Sequence, residues 1–266
     1  MMRLGSLLVV AILAASPAAA KNISIQMTPV PELRDGSFNV ALTVTNLGDE
    51  AAQSVVPTLR FRDKDVRGKG KASLGPNETI SETLSVPAGD VGTGRWPYRL
   101  TVDYTDANQY PFQALHVPTL TVGNPPPVRV AVREAKATPV GATGTLSVTL
   151  KNLEGTERTV AFQPLVPEGL EAGRIAPEVK LAPWEEKAVT VPITNRTALA
   201  GSRLPVFLTV QYDDGGVHQG VVAQTVVEVV PQQSFFARQR EVLWAGVAVL
   251  LLAWGGYVLT RMMRRS

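Results

Sequence analysis

The side chains that perform most enzyme chemistry are sparse in this sequence of 266 residues. It has no cysteine and only two histidines, His116 and His218, which lie in different halves of the chain. It contains no Gly-x-Ser-x-Gly elbow, no His-Glu-x-x-His pair and no phosphate-binding glycine loop. We therefore expect no enzymatic activity, no cofactor and no bound metal.

Carboxylates gather at two predicted hairpins. Asp103, Asp106 and Asn108 surround the first, and Asp213 and Asp214 surround the second. Calcium needs about six to eight oxygen ligands, and neither hairpin supplies that many. Aspartate also favours turns by hydrogen bonding to its own backbone, so a structural role is the favoured interpretation.

One basic run is a candidate contact for an anion or a partner. We expect it to leave a strand and form a mobile loop that can bind an anionic glycan, a phosphate-bearing polymer or a lipid headgroup. A solvated loop that binds nothing is the alternative. Its members are Arg60, Arg62, Lys64, Arg67, Lys69 and Lys71.

Two aromatic residues are candidate glycan contacts, because exposed rings on β-sandwiches can stack on sugars. They are Trp96 and Tyr110. Trp96 precedes a predicted strand and Trp184 follows a Leu-x-Pro turn, so the alternative is that both tryptophans close the ends of hydrophobic cores. The sequence leaves both interpretations open.

Two apolar segments predict export and membrane anchoring. Residues 1–20 have Arg3, an apolar run over 7–15 and small residues before a cleavage site, as in a signal peptide. Residues 242–260 carry no charge and would span roughly 28 Å as a helix, which matches a bilayer core. The residues predicted to anchor this helix are Trp244, Trp254, Tyr257, Arg261, Arg264 and Arg265.

The region between these segments has an all-β pattern. Short runs rich in Val, Thr, Leu and Ile alternate with turn residues, and no stretch has sustained helical periodicity. The predicted strands of the first half are 23–28, 38–45, 55–62, 79–86, 98–104 and 115–122. Those of the second half are 128–132, 145–150, 159–164, 188–193, 205–212 and 217–229.

The two halves are an internal repeat separated by a proline linker at 124–127. Asn46-Leu47 aligns with Asn152-Leu153, and Leu74-x-Pro76 aligns with Leu181-x-Pro183. The strand motif Leu-Thr-Val-x-Tyr occurs at 100–104 and again at 208–212. In addition, 213–216 reads Asp-Asp-Gly-Gly, which suits a tight hairpin with positive φ.

These motifs resemble the bacterial and archaeal immunoglobulin-like modules of the CARDB and alpha-galactosidase-associated types. The resemblance covers each half of the exported region and implies a β-sandwich used for adhesion, spacing or binding. No catalytic residue is implied by it.

The sequence thus predicts an all-β protein of two tandem immunoglobulin-like β-sandwiches and one C-terminal transmembrane α-helix. We expect a bacterial cytoplasmic membrane protein with its N-terminal domains outside, acting as a scaffold or interaction subunit of an envelope assembly for export, polysaccharide handling or adhesion. Its expected partners are the membrane and another envelope or membrane protein; the exported part is near neutral, so nucleic acid is not expected. The alternative is a glycan-binding module, with a polysaccharide as partner.

The expected boundaries are a signal peptide at 1–20, sandwiches at 21–123 and 128–231 around the linker 124–127, a connector at 232–241, the helix at 242–260 and a tail at 261–266.

Overall fold

The computed structural model of the protein describes residues 22–231 and Trp254. In these residues no helix is long and apolar enough to cross a membrane. The predicted signal peptide, connector and tail lie outside the described residues, as does the predicted helix 242–260 apart from Trp254. The other predicted anchor residues are therefore also outside them, namely Trp244, Tyr257, Arg261, Arg264 and Arg265.

The first sandwich, residues 22–123, is built from two sheets around a hydrophobic core. One sheet has the order β1-β2-β6, and the other has the order β4-β3-β8-β9, with β5 also paired to β3. The strands are β1 (Ile25–Arg34), β2 (Ser37–Asn46), β3 (Ala52–Phe61), β4 (Lys64–Arg67), β5 (Lys71–Leu74), β6 (Thr79–Pro87), β7 (Gly94–Pro97), β8 (Arg99–Thr105), β9 (Pro111–His116) and β10 (Thr119–Val122).

The second sandwich, residues 128–231, has a corresponding arrangement. One sheet has the order β11-β12-β16-β14, and β15, β13, β17 and β18 lie in the other. The strands are β11 (Val130–Ala137), β12 (Thr143–Asn152), β13 (Arg158–Leu165), β14 (Leu170–Ala172), β15 (Glu178–Leu181), β16 (Glu186–Asn195), β17 (Arg203–Asp214) and β18 (Val217–Glu228).

Alternation along the strands explains where the cores lie. In β2, Phe38, Val40, Leu42 and Val44 are all at most 1% exposed, and the residues between them face outward. Two large buried clusters result, one from each sandwich, and they fall on the two sides of the predicted linker.

Tight hairpins connect the long strand pairs, as the sequence predicts for 213–216. Gly215 and Gly216 have φ values of 59° and 82°, and Asp35 and Gly36 have values of 51° and 70° at the β1-β2 turn. Positive φ at both central residues matches the twist of antiparallel strands.

The repeat is visible in two equivalent buried amides. Asn46 and Asn152 are both 0% exposed. The Asn46 Nδ2 donates to the carbonyls of Glu50 and Leu74, at 2.7 and 3.1 Å. The Asn152 Nδ2 donates to the carbonyls of Thr156, Leu181 and Ala182, at 2.8, 3.3 and 2.9 Å. Each amide therefore holds the turn after its strand against the Leu-x-Pro turn.

One short strand pair of the first sandwich joins a sheet of the second at their junction. Strand β7 pairs with β10 and, at His218 and Gly94, with β18 of the second sandwich. A Cβ on Gly220 would lie 2.2 Å from the Pro97 Cδ, and one on Gly94 would lie 2.4 Å from the His218 carbonyl oxygen. Two glycines thus permit a backbone approach that no other residue would allow.

Three sequence expectations are corrected by the fold. The predicted strand 115–122 is two strands, because Val117-Pro118 interrupts it between β9 and β10. The basic run is not a loop: most of it lies in β3 and in β4 and β5, each of which pairs with β3. Trp184 does not close a core, since it is 59% exposed in a turn with φ of 60°.

Candidate partner-binding cleft at the junction

Two cross-strand pairs at equivalent positions of the repeat lie at the junction. Arg60 of β3 is directly opposite Arg99 of β8, and Leu165 of β13 is directly opposite Phe207 of β17. Because 100–102 aligns with 208–210, Arg99 and Phe207 occupy the same position of the repeat. The duplicated sheet therefore places two arginines in one sandwich where the other has two apolar residues.

The apolar pair joins the sandwiches. Phe207 is 1% exposed and packs in a small cluster with Leu115 and Val117 of the first sandwich, and Leu165 and Val222 are packed against it. Leu115 and Val222 are themselves equivalent, since they lie opposite Thr101 and Thr209. The two outer sheet faces are thus held together by a continuous apolar seam.

The arginine pair lines a cleft beside this seam. The cleft has a volume of about 230 Å³. Arg62, at the β3-β4 turn, lines it with Arg60 and Arg99. The remaining lining residues come from both sandwiches and are Trp96, Pro97, Tyr98, Val117, Gln163, Leu165, Thr209 and Gln211.

The charge of this cleft is one-sided. Its lining includes three arginines and no carboxylate. In the described part of the chain, no carboxylate lies within 4.0 Å of the guanidinium nitrogens of Arg60, Arg62 or Arg99. Burial lowers the pKa of Arg99, and the charge of Arg60 lowers it further, while Asp65 and Asp103 oppose the change. The cleft is therefore a positive site whose like charges are only partly offset.

Trp96 is held between protein groups at the edge of this cleft. His218 stacks on it with ring centroids 4.0 Å apart and planes at 17°, and the Arg62 guanidinium carbon lies 5.5 Å from the ring centroid. The indole Nε1 donates to the Gly92 carbonyl at 3.1 Å. The ring is thus a contact between sandwiches rather than an open platform for a sugar.

Tyr110, the second predicted glycan contact, is also used at the junction. Its hydroxyl donates to the Thr197 carbonyl of the second sandwich. Nearby, the Glu168 backbone N–H donates to the Gln113 Oε1 at 3.3 Å. The structure does not bring Trp96 and Tyr110 together into one aromatic surface.

A cluster of hydrogen bonds connects the proline linker to both sandwiches. Arg95 donates through Nη1 to the Pro126 carbonyl at 2.6 Å and to the Gln219 Oε1 at 2.8 Å. Gln219 is 0% exposed and also donates to the Pro126 carbonyl, at 3.2 Å. Sequence reasoning missed these residues, because neither an isolated arginine nor a glutamine on a strand indicates a contact so distant in the chain.

The other residues of the basic run lie away from the cleft. Lys64 is exposed beside Asp63, with N and O atoms 3.4 Å apart, and Lys71 pairs with Glu78. Arg67 and Lys69 are exposed. The structure therefore divides the predicted run: Arg60 and Arg62 belong to the junction cleft, and the remaining four form a separate exposed surface.

The aspartate hairpins are organised by turns and ion pairs. The Asp106 Oδ1 accepts the backbone N–H groups of Asn108 and Tyr110, both at 2.8 Å. Asp214 lies 2.9 Å from an Arg158 Nη2, and Asp213 contacts His218 at the same distance. Within the described ranges, no group of three or more His, Asp or Glu side chains is arranged to hold a metal ion.

Comparison with known proteins gives only distant structural likeness. The sequence matches no protein-family model and no curated protein sequence. The fold is similar to parts of alpha-2-macroglobulin from Escherichia coli (TM-score 0.33, 12% identity, covering 79% of this chain and 17% of that one) and from Salmonella (0.31, 13%, 79% and 16%). It is also similar to part of red sea bream transglutaminase (0.28, 14%, 80% and 32%).

This chain therefore spans about a sixth of the length of those macroglobulins. At scores this low, no activity of these proteins extends to it.

Proposed function

We propose that this protein is a non-enzymatic, membrane-anchored scaffold or interaction subunit of a bacterial envelope assembly. The two sandwiches, of the CARDB-like immunoglobulin type, are held outside the cytoplasmic membrane by the helix 242–260, with a short tail in the cytoplasm. Their role is to present a fixed surface to another envelope or membrane protein.

The observation that supports this proposal is the extensive contact between the sandwiches at their junction. A shared sheet, the Trp96–His218 stack, the apolar seam around Phe207 and the buried Gln219 fix one sandwich on the other by four independent kinds of contact. A flexible tether would need none of them. A surface composed of two domains in constant geometry is what a scaffold requires.

The glycan-binding alternative is less favoured, because both candidate aromatic residues make contacts within the protein. Trp96 is stacked against His218, and the Tyr110 hydroxyl is bonded to the Thr197 carbonyl. Sugar stacking needs an accessible ring face, so we favour a protein partner.

Purification of the full-length protein from native membranes in mild detergent tests the proposal. We expect a stoichiometric membrane or envelope protein to co-purify and to be lost from a form lacking residues 242–266. A chain retained in the membrane by another anchor provides the control for localisation alone. If no protein co-purifies with the full-length chain at native expression level, the scaffold proposal fails.

A further inference from the structure

The arginine cleft at the junction has the chemistry of a recognition site. Arg60 and Arg99 are directly opposite on neighbouring strands, where Cβ atoms lie about 5 Å apart and like charges are destabilising. Asp65 of β4 lies directly opposite Arg60 on its other side and offsets part of this repulsion. A ligand that supplies negative charge between the two guanidinium groups would remove this repulsion.

Guanidinium groups select a particular kind of anion. Their planar donor forks match pairs of oxygens on a carboxylate or a phosphate, in bidentate geometry. Arg62 is held at the edge of the cleft over Trp96, which positions a third fork without neutralising it. The cleft therefore suits oxyanions presented close together, and carboxylates are the oxyanions that an unmodified polypeptide supplies.

The size and opposite wall of the cleft favour a polypeptide. Its volume of about 230 Å³ is below the range of about 300–1,000 Å³ for drug-sized ligands, so it would hold only a few groups of a larger ligand. The second sandwich contributes Gln163, Thr209 and Gln211, whose amides and hydroxyl can donate to and accept from a peptide backbone. The covered face of Trp96 gives a sugar nothing to stack on.

The surface beside the cleft indicates how a ligand would be oriented in it. Past Gln163 and Gln211, a neighbouring depression is lined by Glu178, Asp213 and His218. Positive charge is thus confined to the side of the first sandwich. An acidic ligand would contact Arg60 and Arg99 with its carboxylates and turn its uncharged side toward the second sandwich.

We infer that the junction cleft binds an extended acidic segment of a partner protein, through two or more carboxylates that contact Arg60, Arg62 and Arg99. This inference rests on the proposed interaction role and names the chemistry of the partner. Carboxylates on alternate residues of an extended segment lie on one side, about 7 Å apart, within reach of neighbouring long arginine side chains.

Calorimetric titration of the full-length protein in mild detergent tests this inference. The probe is a capped octapeptide of alternating glutamate and serine, and its control replaces each glutamate by glutamine. We expect the acidic peptide to bind and the neutral peptide not to bind, and the affinity to fall as salt rises. A tetragalacturonate titrated in parallel distinguishes an anionic sugar.

Matched variants locate the binding. We expect Arg60→Gln/Arg99→Gln to weaken peptide binding by at least about tenfold, because charged hydrogen bonds are lost. The control Arg67→Gln/Lys69→Gln removes the same charge from the exposed part of the basic run and should change affinity less than about threefold through screened charge alone. Arg99→Lys keeps the charge but not the fork and should give an intermediate loss.

Some results would overturn the inference. These are absence of peptide binding, equal weakening by both double variants, or binding of tetragalacturonate in preference to the peptide. The outcome is separable from that of the proposed function. If the Arg60→Gln/Arg99→Gln variant still co-purifies with its partner, the scaffold role stands and the cleft is not the binding site. If the peptide binds but no partner co-purifies, the cleft binds acidic segments and the scaffold role fails.

Discussion

The two halves of this chain use the same position of one duplicated module in opposite ways. In the second sandwich, Phe207 is buried in the seam between the domains, and the partly buried Leu165 packs against it. In the first, Arg60 and Arg99 line an open cleft. The buried amides Asn46 and Asn152 have not diverged in this manner. The amide position that closes the module is alike in both halves, and this one cross-strand pair on the outer face has taken separate roles.

Replacing Phe207 and Arg99, one residue from each pair, by alanine should give the largest difference between the two halves. It separates the residue that joins the domains from the residue that lines the cleft. We expect Phe207→Ala to lower the free energy of unfolding by about 3 to 5 kcal/mol, because it empties a packed site. Arg99→Ala should change it by less than about 1 kcal/mol, since loss of side-chain packing is offset by relief of repulsion with Arg60. Urea unfolding of both variants measures the difference, and equal effects would remove the distinction.

Because Asn46 and Asn152 make equivalent contacts, we expect their replacement to lower the free energy of unfolding by similar amounts. Replacing Asn46 or Asn152 by alanine leaves several buried backbone groups without partners, each worth about 1 to 3 kcal/mol. We expect each variant to lose about 3 kcal/mol, as measured by urea unfolding monitored by circular dichroism. Asn39→Ala is the control, because that side chain makes one long hydrogen bond, of 3.4 Å to the Ser37 carbonyl. A large loss at only one amide would show that the halves are not equivalent.

Because Gly220 lies very close to Pro97 at the junction, we expect that adding one methyl group there weakens the contact between the sandwiches. Gly220→Ala places a Cβ against Pro97 and should cost about 1 to 3 kcal/mol through overpacking. Scanning calorimetry should then resolve two transitions. Gly92→Ala has nothing within 4 Å of the added Cβ and should behave as the native chain. One unchanged transition in the Gly220 variant would refute a rigid junction.

The smallest predicted effect concerns His116, which lies opposite Leu100 where the second sandwich has Ala223 opposite Leu208. Burial lowers the pKa of His116 below its ordinary value of 6.5. The folded chain therefore binds this proton less readily than the unfolded chain, so stability is full above pH 6.5 and falls as the pH drops through the folded pKa. His116→Gln should flatten the decline of Tm between pH 7 and 5. An unchanged slope would assign the decline to other groups.

Local patterns allowed the strands and the repeat to be predicted, because burial imposes alternation on residues such as 38–44 and turns select Asn, Gly and Pro. The junction could not be predicted in the same way. Arg60 and Arg99 are distant in the chain, and they become neighbours only through the register of β3 and β8. The stack of Trp96 on His218 could not be predicted for a related reason, since His218 comes from the other half.

The sheet that crosses the junction also has a mechanical consequence. Strand β18 is the last strand of the second sandwich and is paired with β7 of the first. Tension applied at the C-terminal end would pass into the first sandwich through this pair as well as through the linker. The β18–β7 pair at His218 and Gly94, the Arg95–Gln219 hydrogen bond and the Trp96–His218 stack would all have to break before the sandwiches separate. The two domains would therefore bear such a load together.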